Sequence, residues 1–224
     1  MKPRQSILAF TTVLILSLGA PVGATVPPVA AEVSPADALT RLKDGNRRFV
    51  AEKLQHPHQG AGRRTELAAS QAPYAIVLGC ADSRTGPEVI FDQGIGDLFV
   101  LRVAGNVLNP EIVGSMEYAV EHLGSRLIVV LGHERCGAVK AAKETVAANG
   151  TAPGSIQSLV LAIKPAVDST VGQDAEATCK ANVLHVAAAL RASAPILAGK
   201  IASGAVKVVG GRYDLDTGAV EFFD

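Results

Sequence analysis

Three apolar runs, at 74–80, 97–103 and 127–132, alternate along the chain with helical patterns at about 87–92, 110–123 and 137–148. Short runs this rich in Val, Ile and Leu read as strands buried on both faces. Each return to a parallel neighbour needs a crossover, and a helix supplies it, so the βαβαβα order predicts a parallel sheet. The pattern at 110–123 is the clearest: Pro110 opens it, Ile112, Met116, Ala119, Val120 and Leu123 share one face, and Gly124 closes it. The expected fold class is therefore α/β, a central and mostly parallel β-sheet flanked by helices.

Upstream, Ser34 and Pro35 make an N-cap and first helical position for an amphipathic arm running to about Glu52 and carrying Leu39, Leu42 and Phe49. A polar segment at 53–70 follows, with a second short helix expected over 63–69. Downstream, 149–154 reads as a loop and helices are expected at 155–167 and 174–193. Residues 205–209 then pair with 218–223, or with the core sheet, through the Asp216-Thr217-Gly218 turn. The chain has 224 residues, 48% of them hydrophobic, and no formal net charge, which allows one sizeable core and gives no bias toward nucleic acid.

The first thirty residues differ in character. Lys2 and Arg4 precede an uncharged stretch at 6–20, and small residues offer cleavage after Ala24 or after Ala31. That is the layout of a secretory signal peptide and cleavage region over 1–31, which leaves 32–224 as the mature domain of an exported protein, periplasmic or extracellular. Fifteen residues fall short of the ~20 that a spanning helix needs, so no stable membrane span is expected once the signal is removed.

Chemistry gathers at the ends of two predicted strands. Cys80, Asp82 and Arg84 close the first run, and His133 and Cys136 close the third on a tight 132–137 turn that starts a helix. Two thiolates and one imidazole suit a tetrahedral Zn2+ ion and leave one position open for water or substrate. In open parallel sheets ligands bind beyond the carboxyl ends of strands, where both halves of this constellation lie. The helix N-terminus is expected to help hold Cys136 as a thiolate. Asp82 and Arg84 alternate with Cys80, so in an extended segment all three point to one side, and the arginine fork can fix the carboxylate bidentately. The bland alternatives are a buried Cys with a core His, and a surface ion pair. Cys179 forms a stripe with Val183, Val186 and Leu190 and reads as a buried structural thiol. His56 and His58, on either side of Pro57, read as a solvated loop pair.

Cys80-Ala-Asp-Ser-Arg84 with Gly132-His133-Glu-Arg-Cys136-Gly137 resembles the β-class carbonic anhydrases, and the similarity runs over roughly residues 37–224. Matching context includes 46–49, 91–94, 102–106, 115–120 and 213–215. The resemblance implies one zinc ion per chain on Cys80, His133 and Cys136, with reversible hydration of CO2 to bicarbonate and a proton by zinc-bound hydroxide. It implies that Asp82 orients that hydroxide and is restrained by Arg84. It also implies a CO2 pocket completed by Gln71 and Gly137, with Phe99, Ala104 and Tyr118 contributed from a second subunit, hence a homodimer or a larger even-numbered homo-oligomer in which the arm helix wraps a partner.

The chain departs from that pattern at Thr85-Gly86, where many members have Val-Pro, and at Ala104, where a bulkier residue is frequent. Both changes are expected to widen or soften the cleft. Arg102 and Tyr213 match two members of an inhibitory bicarbonate site found in one subgroup, but Val77 stands where its Trp would be, so that regulation is not expected. Two other readings stay open: a zinc hydrolase of CS2 or COS using the same attack, and a non-catalytic zinc-binding protein of the cell envelope.

Overall fold

The computed structural model describes residues 33–223; the signal peptide and cleavage region expected over 1–31 lie outside them. Five strands form one sheet: β1 (Ala75–Gly79), β2 (Leu98–Arg102), β3 (Leu127–His133), β4 (Lys207–Tyr213) and β5 (Val220–Phe223), in the order β2-β1-β3-β4-β5. The first four are parallel and β5 runs antiparallel to β4, so the two alternatives for the chain's last strands both occur. The sheet is flanked by α1 (Pro35–Val50), α2 (Ala61–Leu67), α3 (Pro87–Ile90), α4 (Pro110–His122), α5 (Gly137–Ala147), α6 (Ile156–Ser169), α7 (Ala175–Arg191) and α8 (Leu197–Ala202). Of these only α8 was not expected. It is six residues long with a glycine in the middle, and the buried Leu197 and partly buried Ile201 tie it to the core.

Side chains alternate across the strands and so feed two cores. Ile76, Leu78, Ile128, Val130 and Val208 point into one, with Met116 of α4 and Val183, Val186 and Leu190 of α7. Ala75, Val77, Leu127, Val129 and Val209 point into the other, which α1 covers with Ala38 and Leu42. Leu42 is fully buried, and removing a leucine side chain from water contributes about 1.5–3 kcal/mol.

The N-terminal arm is thus docked on its own chain rather than free-standing. Ser34 caps α1 by accepting the Asp37 N–H at 3.1 Å. Gly45 lets α1 pass over the end of α3, where a Cβ would collide with the Phe91 carbonyl oxygen. Beside it the buried Asn46 donates to the carbonyls of Ile90 (3.2 Å) and Gly218 (2.9 Å) and accepts the Val220 N–H at 2.9 Å. One side chain therefore ties α1 to both α3 and the β4–β5 turn. Among the described residues no helix is long and apolar enough to cross a membrane.

From β1 the chain goes outward to β2, then returns across β1 to place β3 on the other side. The strand order reverses there, and the crevice beyond the carboxyl ends of β1 and β3 is the place where such sheets bind ligands.

Candidate metal centre

That crevice holds a buried cluster. One ligand atom from each of Cys80, His133 and Cys136 lies within 4.8 Å of the others. Cys80 follows β1, His133 ends β3, and Cys136 is the N-cap residue of α5, so all three stand on the firmest parts of the fold. Arg135, in the turn between them, has φ +51°, a left-handed conformation unusual for a side-chain-bearing residue. It is held there by its N–H on Glu176 Oε1 (2.7 Å) and its guanidinium on Asp216 (2.8 and 3.0 Å).

The imidazole is set up as a ligand. His133 Nδ1 lies 2.8 Å from the Glu134 carbonyl oxygen, which can only accept, so Nδ1 carries the proton and Nε2 presents its lone pair. Nε2 is buried and makes no hydrogen bond. A bare buried nitrogen facing two buried thiols is what a metal requires: tetrahedral zinc ligands sit about 3.5–3.8 Å apart, a spacing this cluster can reach.

The hydrogen bond from Cys136 draws the Cys80 thiol down to about 4, against burial, and the Gly105 N–H at 3.3 Å adds to this. The same bond, then burial, push the Cys136 thiol up. Cys179, buried behind them in α7, is pushed up to about 11 by burial and stays a structural thiol, as expected.

Asp82 and Arg84 do meet, but not by alternating along an extended segment. Residues 82–85 form a tight turn closed by Thr85 N–H on the Asp82 carbonyl at 3.1 Å. Arg84 then reaches back: Nε to Oδ1 at 2.9 Å, Nη2 to Oδ2 at 2.7 Å, and its own N–H to Oδ1 at 3.0 Å. This fork holds the Asp82 carboxyl well below the usual carboxylate range. Asp82 Oδ2 stands 3.9 Å from His133 Nε2, beside the cluster.

Three contacts at the site were not read from the sequence as such. Thr85, flagged only as a departure that softens the cleft, is buried, and its Oγ1 donates to the Asp82 carbonyl at 2.9 Å. Arg102 donates to the carbonyls of Cys80 (2.9 Å) and Asp82 (2.5 Å). Together these contacts brace the Asp82 loop from behind. The third contact is the Gly105 amide on Cys80.

The expected pocket residues are divided in space. Gly137, first residue of α5, follows Cys136 and has open space at its Cα, and Ala104 opens the short turn whose Gly105 amide meets Cys80. Phe99 lies in β2 level with Ile76, and Tyr118 is exposed on α4 next to His122. Gln71 precedes β1 at the amino end of the sheet; five strand residues at about 3.3 Å each part it from Cys80. Val77 is wholly buried and Tyr213 nearly so. His58 is not simply solvated, for its Nδ1 bonds the buried Asp97 at 2.7 Å.

A family model described as "Carbonic anhydrase" matches residues 75–220. Carbonic anhydrase 2 of Mycobacterium tuberculosis is 43% identical over 189 residues, covering 83% of this chain and 91% of that protein. Among solved structures, the β-carbonic anhydrase CcaA superposes with a TM-score of 0.67 at 25% identity, covering 83% of this chain and 95% of that one. A structure from the pair of tetrameric β-carbonic anhydrases of Sordaria macrospora gives 0.63 at 26%, covering 80% and 93%. Fold, metal-ligand cluster and sequence agree over most of the chain, and this protein belongs to the β-class carbonic anhydrases.

Proposed function

We propose that the protein hydrates CO2 reversibly to bicarbonate and a proton, with zinc held by the sulfurs of Cys80 and Cys136 and by His133 Nε2. The observation that carries this reading is the bare His133 Nε2, buried against two thiols with the Asp82 carboxylate 3.9 Å away. Zinc, when bound, supplies a water that gives up its proton near neutral pH.

The chain's own groups do the rest. Arg84 and the Arg84 N–H keep Asp82 ionised, so the carboxylate is a pure acceptor at the edge of the cluster. It takes one hydrogen bond from the attacking oxygen and turns that atom's lone pair toward the carbon of CO2. Thr85 and Arg102 fix the Asp82 backbone from behind, so the carboxylate is aimed before substrate arrives. Gly137 borders the space for CO2, and Gln71 together with Phe99, Ala104 and Tyr118 of a second subunit complete it, which calls for a homodimer or a larger even-numbered assembly. Residues 1–31 direct export.

Stopped-flow CO2 hydration by the zinc-loaded protein, over a pH series and with zinc counted per chain, tests the reading. Fast turnover that rises with pH, at one zinc per chain, is expected. No turnover at any pH with the zinc in place would overturn it.

A further inference from the structure

We propose that Asn182 is a positioning residue for the metal centre: it holds the Gly105 amide on the Cys80 sulfur from the far side of the turn. The proposal rests on the reading of Cys80 as a zinc ligand.

Asn182 lies in α7, is 1% exposed and touches neither the Asp82 loop nor His133 by any hydrogen bond. Among the described residues its side chain makes one hydrogen bond, from Nδ2 to the Gly105 carbonyl at 2.8 Å. The amide orientation follows from that partner, because a carbonyl can face only a donor. Gly105 in turn aims its N–H at Cys80 Sγ at 3.3 Å. Asn182, Gly105 and Cys80 thus form one chain of hydrogen bonds from the core of the helical layer to the metal ligand.

The turn between them needs such a support. Gly105 has φ +73° and is followed by Asn106 at φ +42°, two left-handed residues in succession. A Cβ at Gly105 would come within 2.7 Å of Ile163 Cδ1 and 3.2 Å of Ala138 Cβ, so the backbone is pressed against α5 and α6. A tight turn of this kind persists where the surroundings over-determine it, and the Asn182 amide supplies a directed bond where packing alone supplies none. A donor on a metal thiolate fixes the sulfur's direction and the charge it offers the metal, and losing such outer contacts weakens metal binding by roughly 10–100-fold.

The experiment replaces zinc by cobalt(II) in the full-length protein and records the sulfur-to-cobalt charge-transfer bands, together with the rate at which a chelator removes zinc. Three variants are compared with the parent: Asn182→Ala, Asn182→Ser and, as a packing control, Val183→Ala. Val183 is the buried neighbour in α7 that packs at Gly132 and Gly210. The two Asn182 variants are expected to shift the bands and to release zinc at least about 10-fold faster. Val183→Ala is expected to lower the thermal midpoint while leaving the bands in place.

A parent protein without sulfur-to-cobalt bands would overturn the zinc-ligand reading and this inference with it. Parent bands that persist unchanged in both Asn182 variants, with unchanged zinc release, would overturn the inference alone. The same holds if Val183→Ala shifts the bands as far, which would make the effect one of general packing, or if neither Asn182 variant folds, which would make Asn182 a structural residue only.

Discussion

Asp82 and Asp92 are each held by an arginine, yet the two pairs stand in opposite surroundings. Asp92 follows α3 with its side chain 1% exposed, and it accepts three hydrogen bonds from inside the fold: Arg48 Nε at 2.6 Å and the N–H groups of Gln55 and His56, each at 3.0 Å. Asp82 is 18% exposed, draws its donors from a single residue two positions away, and keeps an edge turned to the metal cluster. These distant partners make Asp92 a fastener: it ties α1 to the core through Arg48, 44 residues back, and the polar 53–60 segment through the N–H groups of Gln55 and His56. The local partner makes Asp82 an anion that is aimed but not used up. On the proposed mechanism, an Asp–Arg pair serves stability when sealed and chemistry when one face is left open.

Crossing the two sites breaks the comparison most directly. Asp82→Ala is expected to lower kcat for CO2 hydration by roughly 10²- to 10⁴-fold, the range for losing a group that handles a proton or directs the nucleophile. Its stability is expected to change by no more than about 1 kcal/mol, since the Asp82–Arg84 pair is partly solvated. Asp92→Ala is expected to do the reverse. Removing one partner of a buried pair strands the other, which costs about 2–3 kcal/mol here once the partial exposure of Arg48 is allowed for. Turnover per folded, zinc-loaded molecule should stay at the parent level. Stopped-flow assay and urea unfolding on the same samples check both, and equal losses of turnover would erase the distinction.

The contrast also shows what was legible in the sequence. The order of strands and helices was readable because buried parallel strands are continuous apolar runs, and because the Pro110 start and Gly124 stop are local signals. Cys80, His133 and Cys136 were readable because their types and spacing at strand ends have few other uses. The bracing of the site was not. Thr85 and Asn182 are ordinary polar residues until the fold brings a carbonyl within reach, and the carbonyl that Asn182 holds is 77 residues away in the chain. His58 reads as a loop histidine because its partner, Asp97, lies 39 residues on. The short α8 carries too few residues for any periodicity to register.

A pH series sharpens the same contrast on the stability side. Burial raises the Asp92 carboxyl, but Arg48 and the two backbone amides more than reverse this, so its folded pKa lies below the ordinary value near ~3.9. A carboxylate lowered on folding contributes stability that is fully present above the unfolded pKa and is lost as pH falls through the folded one. Asp92→Asn removes that titration while keeping the side chain's shape. The unfolding midpoint of the parent is therefore expected to fall more steeply below about pH 4 than that of the variant. Other lowered carboxylates, Asp214 among them, act in both proteins and cancel in the difference. Parallel curves would mean that Asp92 is not the fastener its contacts indicate.

The smallest expected effect lies on the other side of the comparison, at Thr85. Thr85→Val keeps the shape of a buried side chain and removes one hydroxyl from the Asp82 carbonyl. That carbonyl still accepts the Thr85 N–H and Arg102 Nη2, so no acceptor is orphaned and the cost is about 0.5–1 kcal/mol. The aim of Asp82 has two separate ties, Arg84 on the carboxylate and the Thr85–Arg102 brace on the backbone. Cutting the weaker half of the brace is expected to lower kcat by no more than about 5-fold, the rate equivalent of at most ~1 kcal/mol. A loss approaching that of Asp82→Ala would mean that the backbone brace, not the arginine fork, sets the carboxylate's direction. The open face of Asp82 would then owe its geometry to the Thr85 hydroxyl.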